Sequence, residues 1–111
     1  MTEVYYNAED FYLHSKGHAG GGPAGQDVIC AGVSALTMAL LNVLMEESKK
    51  EHAELEYKVL DGELMMKARP YSAHYAREMS AYFKVTITGL KAIADNYPGN
   101  VEVKEVWKKW Q

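Results

Sequence analysis

The chain has very little of what staples, stiffens or strongly charges a protein. It contains a single cysteine in 111 residues, and a lone thiol cannot form an internal disulfide, so a secreted disulfide scaffold is excluded. Neither sign of charge dominates: 12 Lys and Arg against 15 Asp and Glu leave a net charge of -3. That balance argues against a broad nucleic-acid-binding face and gives no direct nucleic-acid partner. No long hydrophobic run is evident. The most apolar stretch, residues 35–45, is interrupted by Thr37 and Asn42 and is read as too short to span a bilayer. The first six residues are acidic, without a basic n-region or an apolar core, so no secretory signal is expected. Repeats and low-complexity segments are absent. These absences predict one globular domain over residues 1–111, in the cytoplasm, with no membrane partner.

What is present is a regular succession of elements. Residues 2–6 read as a strand, Asn7 to Asp10 as its turn, and residues 11–15 as a second strand. A helix is expected over residues 28–48, capped by Asp27 and closed by Lys49 and Lys50. Its early turns are apolar nearly all round, which predicts burial on most sides. Its small residues Ala31, Gly32, Ser34 and Ala35 would admit another backbone closely. Residues 55–60 and 63–67 flank Asp61-Gly62, a hairpin signal in which both central residues would take positive φ. Arg69-Pro70 is expected to break the second of these strands. A second helix runs from about Ser72 to before Pro98, with Met79, Tyr82, Phe83, Ile87, Leu90, Ile93, Ala94 and Tyr97 on one apolar face. Residues 101–107 alternate as a last strand. The order β-β-α-β-β-α-β predicts an α+β fold, a small mixed sheet with both helices packed on one face.

The single cysteine falls where chemistry is plausible. His18 ends the second strand, a loop of Gly20, Gly21, Gly22, Pro23, Ala24, Gly25 and Gln26 follows, and Cys30 is placed in the first turn of the helix that Asp27 opens. A nucleophilic thiolate needs a base to take its proton and a positive electrostatic end to stabilise the anion. His18 would be the base, and Asp27 would cap the helix, orient His18, or do both. Against this stands the plainer reading of Cys30 as an inert, buried, small hydrophobe. Phosphate binding by the glycine loop is weakly signalled, because no Lys-Ser or Lys-Thr follows and Asp27 would repel an anion. A zinc site from His14, His18 and Cys30 is disfavoured, since His14 and His18 fall on a strand and its end. No metal and no cofactor are expected. Trp107 and Trp110 would close the core or form a docking surface.

The run Gly17-His18-Ala19, followed by Gly25-Gln26-Asp27-Val28-Ile29-Cys30-Ala31-Gly32-Val33-Ser34-Ala35, resembles the ribosomal-processing cysteine protease family (Prp). The resemblance implies an α/β sandwich, a homodimer, a Cys30–His18 dyad and a mobile loop over the site, here residues 20–26. It also implies that Gly17 and Ser34 support the pocket. The implied activity is cysteine endopeptidase cleavage of a short N-terminal extension from a large-subunit ribosomal protein, with apolar and aromatic side chains beside the cut. The alternative is a non-enzymatic, ribosome-associated peptide-binding module on the same fold.

Overall fold

A computed structural model of the chain describes residues 1–17 and 24–107, with the backbone alone for residues 24–27. The elements are β1 (Thr2–Asn7), β2 (Tyr12–Lys16), α1 (Ala24–Lys49), β3 (Ala53–Leu60), β4 (Glu63–Pro70), α2 (Ala73–Asn96) and β5 (Val101–Glu105). They form one five-stranded sheet in the order β3-β4-β2-β1-β5. β5 runs parallel to β1 and the other pairs are antiparallel, which makes the sheet mixed. The expected α+β order is the one observed.

Alternation decides which face is covered. The register lines Val4 up with Ser15 and Leu64, and Tyr6 with Leu13 and Met66. All six are buried. The intervening His14, Met65, Glu63 and Lys67 are only partly covered. Both helices therefore lie on the first face, where Leu40, Leu41 and Leu44 of α1 and Met79, Phe83, Ile87 and Leu90 of α2 complete the core. Each such fully buried side chain contributes about 1.5–3 kcal/mol. The helices approach closely where their side chains are smallest. Gly32 faces Ile93 and Gly89 faces Leu36, so that a Cβ would come within 3.3 Å and 3.0 Å of those side chains.

Several boundaries differ from the sequence reading. α1 starts at Ala24 rather than Val28, so Asp27 is the fourth helical residue and not the cap, and Cys30 stands in the second turn and not the first. Gly25 and its neighbours can follow helical φ and ψ for one turn more than their composition suggests. Nor is α1 buried on most sides. Val28, Ala31, Ala35, Met38 and Ala39 are exposed, because a single sheet and one neighbouring helix cover only one flank. Residues 28–49 of α1 are also long and apolar enough, by length and composition, to cross a membrane, which corrects the reading of this run as too short. Here that helix is one side of the globular core.

The second strand starts at Tyr12, since Phe11 is left-handed at φ 55°. Asn7 sets that turn: its Oδ1 accepts from the Glu9 and Asp10 N–H groups at 3.0 Å, and its Nδ2 donates to the Val106 carbonyl at 2.7 Å. The twist turns the Phe11 ring edge-on to Phe83, 6.0 Å away. In the β3–β4 turn only Gly62 has positive φ, at 74°, so the signs are those of a type II turn rather than type I′. β4 runs through Arg69 to Pro70. Proline is tolerated there because β2 pairs with β4 only as far as Lys67, leaving no neighbour that needs the missing N–H. Ser72 caps α2 through its Oγ, which accepts from the Tyr75 N–H. Tyr97 caps its other end and is exposed, not part of the buried face, whereas Thr86 is buried within it. β5 ends at Glu105, and Trp107 is 84% exposed rather than closing the core. Trp110 lies outside the described residues.

The exit from α1 is a tight junction. The His52 N–H donates to the Glu47 carbonyl at 2.9 Å and the Glu51 N–H to the Ser48 carbonyl at 3.0 Å, the paired bonds of a Schellman motif. Its left-handed position is filled by Glu51 at φ 62°, where glycine is ordinarily used. The buried Glu47 carboxylate meets His52 Nδ1 at 3.0 Å, and the His52 ring stacks on Tyr75 at 3.9 Å. The end of α1, the start of β3 and the start of α2 are thereby joined. Glu51→Gly should relieve the left-handed strain, offset in part by greater freedom of the unfolded chain, for a net stabilisation of roughly 0.5–1 kcal/mol. Chemical denaturation of the two proteins side by side measures it, and no gain would show that Glu51 makes compensating interactions.

Candidate active site

A cavity of about 250 Å³ opens where α1, from Cys30 to Met38, faces the end of β2 and the β3–β4 turn. Cys30 lines it, half-buried, with Ser34 one helical turn further along. Both project from α1 at the four-residue spacing that stacks side chains on one face. Thr37 continues that wall. Its hydroxyl donates back to the Val33 carbonyl at 2.9 Å, so a buried polar side chain is satisfied within its own helix. Opposite stand Val59, Leu60 and Leu64 from the hairpin, with Asp61 and Glu63 at its turn. Among the described residues the lining mixes apolar side chains with hydroxyls and the acidic residues of the turn.

The strand end that leads to His18 enters the same cavity. Gly17 lines it beside Cys30, and the Gly17 N–H donates to the Gly62 carbonyl at 2.8 Å. This bond extends the β2–β4 ladder one step past Lys16↔Glu63 and fixes the chain's exit from the sheet. Gly17 has φ 95°, and a Cβ added there would run into the Met1 carbonyl oxygen. Glycine is required on both counts.

His18, Gly20, Gly21, Gly22 and Pro23 lie outside the described residues. Ala24, Gly25 and Gln26, expected in the loop, instead form the first turn of α1 with Asp27. The structure therefore brings together Gly17, Cys30 and Ser34 among the expected site residues. His14 is not with them. Its neighbours Leu13 and Ser15 point toward the helices, so His14 faces away, and its Nε2 meets Glu63 Oε2 at 2.7 Å. A zinc site joining it to Cys30 is incompatible with that placement. No cluster of three metal-ligating residues occurs among the described residues. Sequence reasoning missed the hairpin's share of the cavity. The Asp61-Gly62 turn was visible, but its position beside Cys30 depends on β2 pairing with β4, which no local pattern encodes.

Gly17→Ala should cost on the order of 2 kcal/mol, from positive φ and the clash with the Met1 carbonyl together. A drop of several degrees in melting temperature is expected. An unchanged melting temperature would mean that the β2 exit can relax and does not fix the residue that follows it.

The comparisons with known proteins agree with this geometry. The essential ribosomal processing protease Prp from S. aureus, solved with a covalently linked product peptide, superposes with a TM-score of 0.71 at 19% identity, over 95% of this chain and 97% of that one. SMU.848 from Streptococcus mutans superposes with a TM-score of 0.68 at 26% identity, over 96% and 93% of the two chains. No curated protein sequence matches. The family model of the cysteine protease Prp matches residues 1–102, a span that contains the whole cavity and the only cysteine, and the chain belongs to that family of cysteine proteases.

Proposed function

We propose that Cys30 is the nucleophile and His18 its general base, in a reaction that removes a short N-terminal extension from a large-subunit ribosomal protein. The observation that carries this reading is that Cys30 shares its cavity with Gly17, the residue directly before His18, at a strand end held by the Gly62 carbonyl. The S. aureus relative is a ribosomal processing protease solved with peptides, which supports the substrate class. The apolar wall of Val33, Met38, Val59 and Leu64 suits apolar side chains beside the cut.

The chemistry follows from two groups. His18 takes the Cys30 proton, and the thiolate adds to the scissile carbonyl. The C–N bond breaks as His18 protonates the leaving amine, and water then hydrolyses the thioester. The dipole of a helix acts mainly over its first turn. With Cys30 in the second turn, activation of the thiol falls more heavily on His18 than the sequence position suggested. Residues 20–23 are assigned to cover the peptide, Ala24, Gly25 and Gln26 being in the first turn of α1, and Asp27 is assigned to support His18. The exposed Val28, Ala31, Ala35 and Ala39 along α1 support a homodimer, and the enzyme would work in the cytoplasm, where ribosomal proteins are made.

The test is to incubate the protein with a peptide copying the host ribosomal protein's N-terminal extension and read the products by mass spectrometry. One internal cut is expected, reduced at least 100-fold in Cys30→Ala and in His18→Ala with the fold retained. Undiminished cleavage by Cys30→Ala would end the protease assignment for this thiol. Tight binding without cleavage would favour a peptide-binding module.

A further inference from the structure

β3 is the terminal strand of the sheet, and among the described residues nothing pairs with its outer edge. It is a long edge, eight residues from Ala53 to Leu60, and it contains neither of the usual protections of proline or a bulge: the register against β4 is unbroken from Ala53↔Pro70 to Leu60↔Glu63. Its protection is the charge of Glu54, Glu56 and Lys58 alone, and its free N–H and C=O groups remain a template for another strand.

The hydrogen-bonding parity of β3 can be fixed. The Tyr71 N–H donates to the His52 carbonyl at 2.9 Å, one step before the Ala53↔Pro70 pair. Bonded and non-bonded pairs alternate along an antiparallel ladder. Glu54, Glu56, Lys58 and Leu60 therefore turn their main-chain groups toward β4, while Leu55, Tyr57 and Val59 turn theirs outward. The side chains of these same three residues lie on the helix-bearing face, since Leu55 pairs with Ala68, Tyr57 with Met66 and Val59 with Leu64, all three partners being buried. Tyr57 and Val59 are nonetheless each 50% exposed. Val59 also lines the cavity of Cys30, across from Met38 and Ser34 of α1. The open edge, an exposed apolar shelf and the cavity with the nucleophile are thus continuous.

We infer that the substrate polypeptide docks as an added, extended strand on the free edge of β3, bonding to the main chain of Tyr57 and Val59. This mode rests on the protease reading above and specifies how that site holds its substrate. Strand addition supplies affinity through main-chain bonds and selects through alternate side chains. Residues of the added strand that face the helices would rest on Tyr57, Val59 and Met38, and the chain would pass from there to Cys30. Apolar residues are therefore required at alternate positions of the substrate, and the intervening positions, directed to the opposite, wetter side of the sheet, are permissive.

The experiment uses the full chain carrying Cys30→Ala, so that the extension peptide binds without turnover, and measures amide hydrogen exchange by NMR with and without saturating peptide. The Tyr57 and Val59 amides should slow at least tenfold, while Glu56 and Lys58, already bonded to β4, should change less than twofold. N-methylation of the peptide's amides one at a time should weaken binding about tenfold at every second position of the docked stretch, the scale of one lost hydrogen bond. Peptide binding with no change at Tyr57 and Val59 would overturn strand addition and leave the protease reading standing. Protection of both amides without peptide, rising with protein concentration, would show that a second copy occupies the edge, and would also overturn it. A peptide neither bound by the variant nor cut by the native protein would remove the function reading and this inference together.

Discussion

The antiparallel pairing of β2 with β4 sets where the rest of the structure can sit. Its register, Lys16 against Glu63 and Tyr12 against Lys67, carries the end of β2 to the β3–β4 turn, and the Gly17–Gly62 bond holds it there. The same pairing puts Leu13 beside Met66 and Ser15 beside Leu64, which creates the continuous buried face on which α1 lies. A slip of one residue would turn Leu13 outward and His14 into the core. It would also separate Gly17 from the hairpin turn that forms the wall opposite Cys30. Stability and site geometry therefore depend on one ladder.

What the sequence disclosed follows from how local each signal is. The Asp61-Gly62 hairpin, the Ser72 start of α2 and its stop before Pro98 were legible, because turns and caps are decided by a few adjacent residues. The mixed sheet with both helices on one face was legible from element order. The neighbours of Cys30 were not. Val59, Leu64 and Thr2 reach its cavity through strand pairings distant in sequence, and nothing in a window around Cys30 marks them. The start of α1 was misplaced for a different reason. Asp27 has the composition of a cap, but the helix continues through Gly25 to Ala24, and cap preference is weak beside the tendency of an established helix to propagate.

That displacement by one turn alters the energetics expected of the nucleophile. One turn further in, the Cys30 N–H belongs to the helix ladder and the dipole acts from a greater distance. A nucleophile placed there depends more on a partner base. The base proposed for that role follows Gly17, whose positive φ and bond to the Gly62 carbonyl fix where the described strand ends.

The hairpin that shapes the cavity also forms the sheet's exposed margin, and these two facts constrain one another. A strand edge beside a nucleophile is useful to an enzyme that must hold a polypeptide extended, since the peptide backbone supplies the same donors and acceptors whatever its side chains. The cost is exposure to unwanted pairing, which proteins limit with charge. β3 places Glu54, Glu56 and Lys58 on its wet side and keeps Tyr57 and Val59 on the side nearest α1. Charge therefore guards the face that a stray strand would meet in solvent, while the apolar residues are confined to the side that continues into the cavity of Cys30. Such a division leaves the edge open to one kind of visitor: an extended chain with apolar residues on one side, arriving beside the thiol.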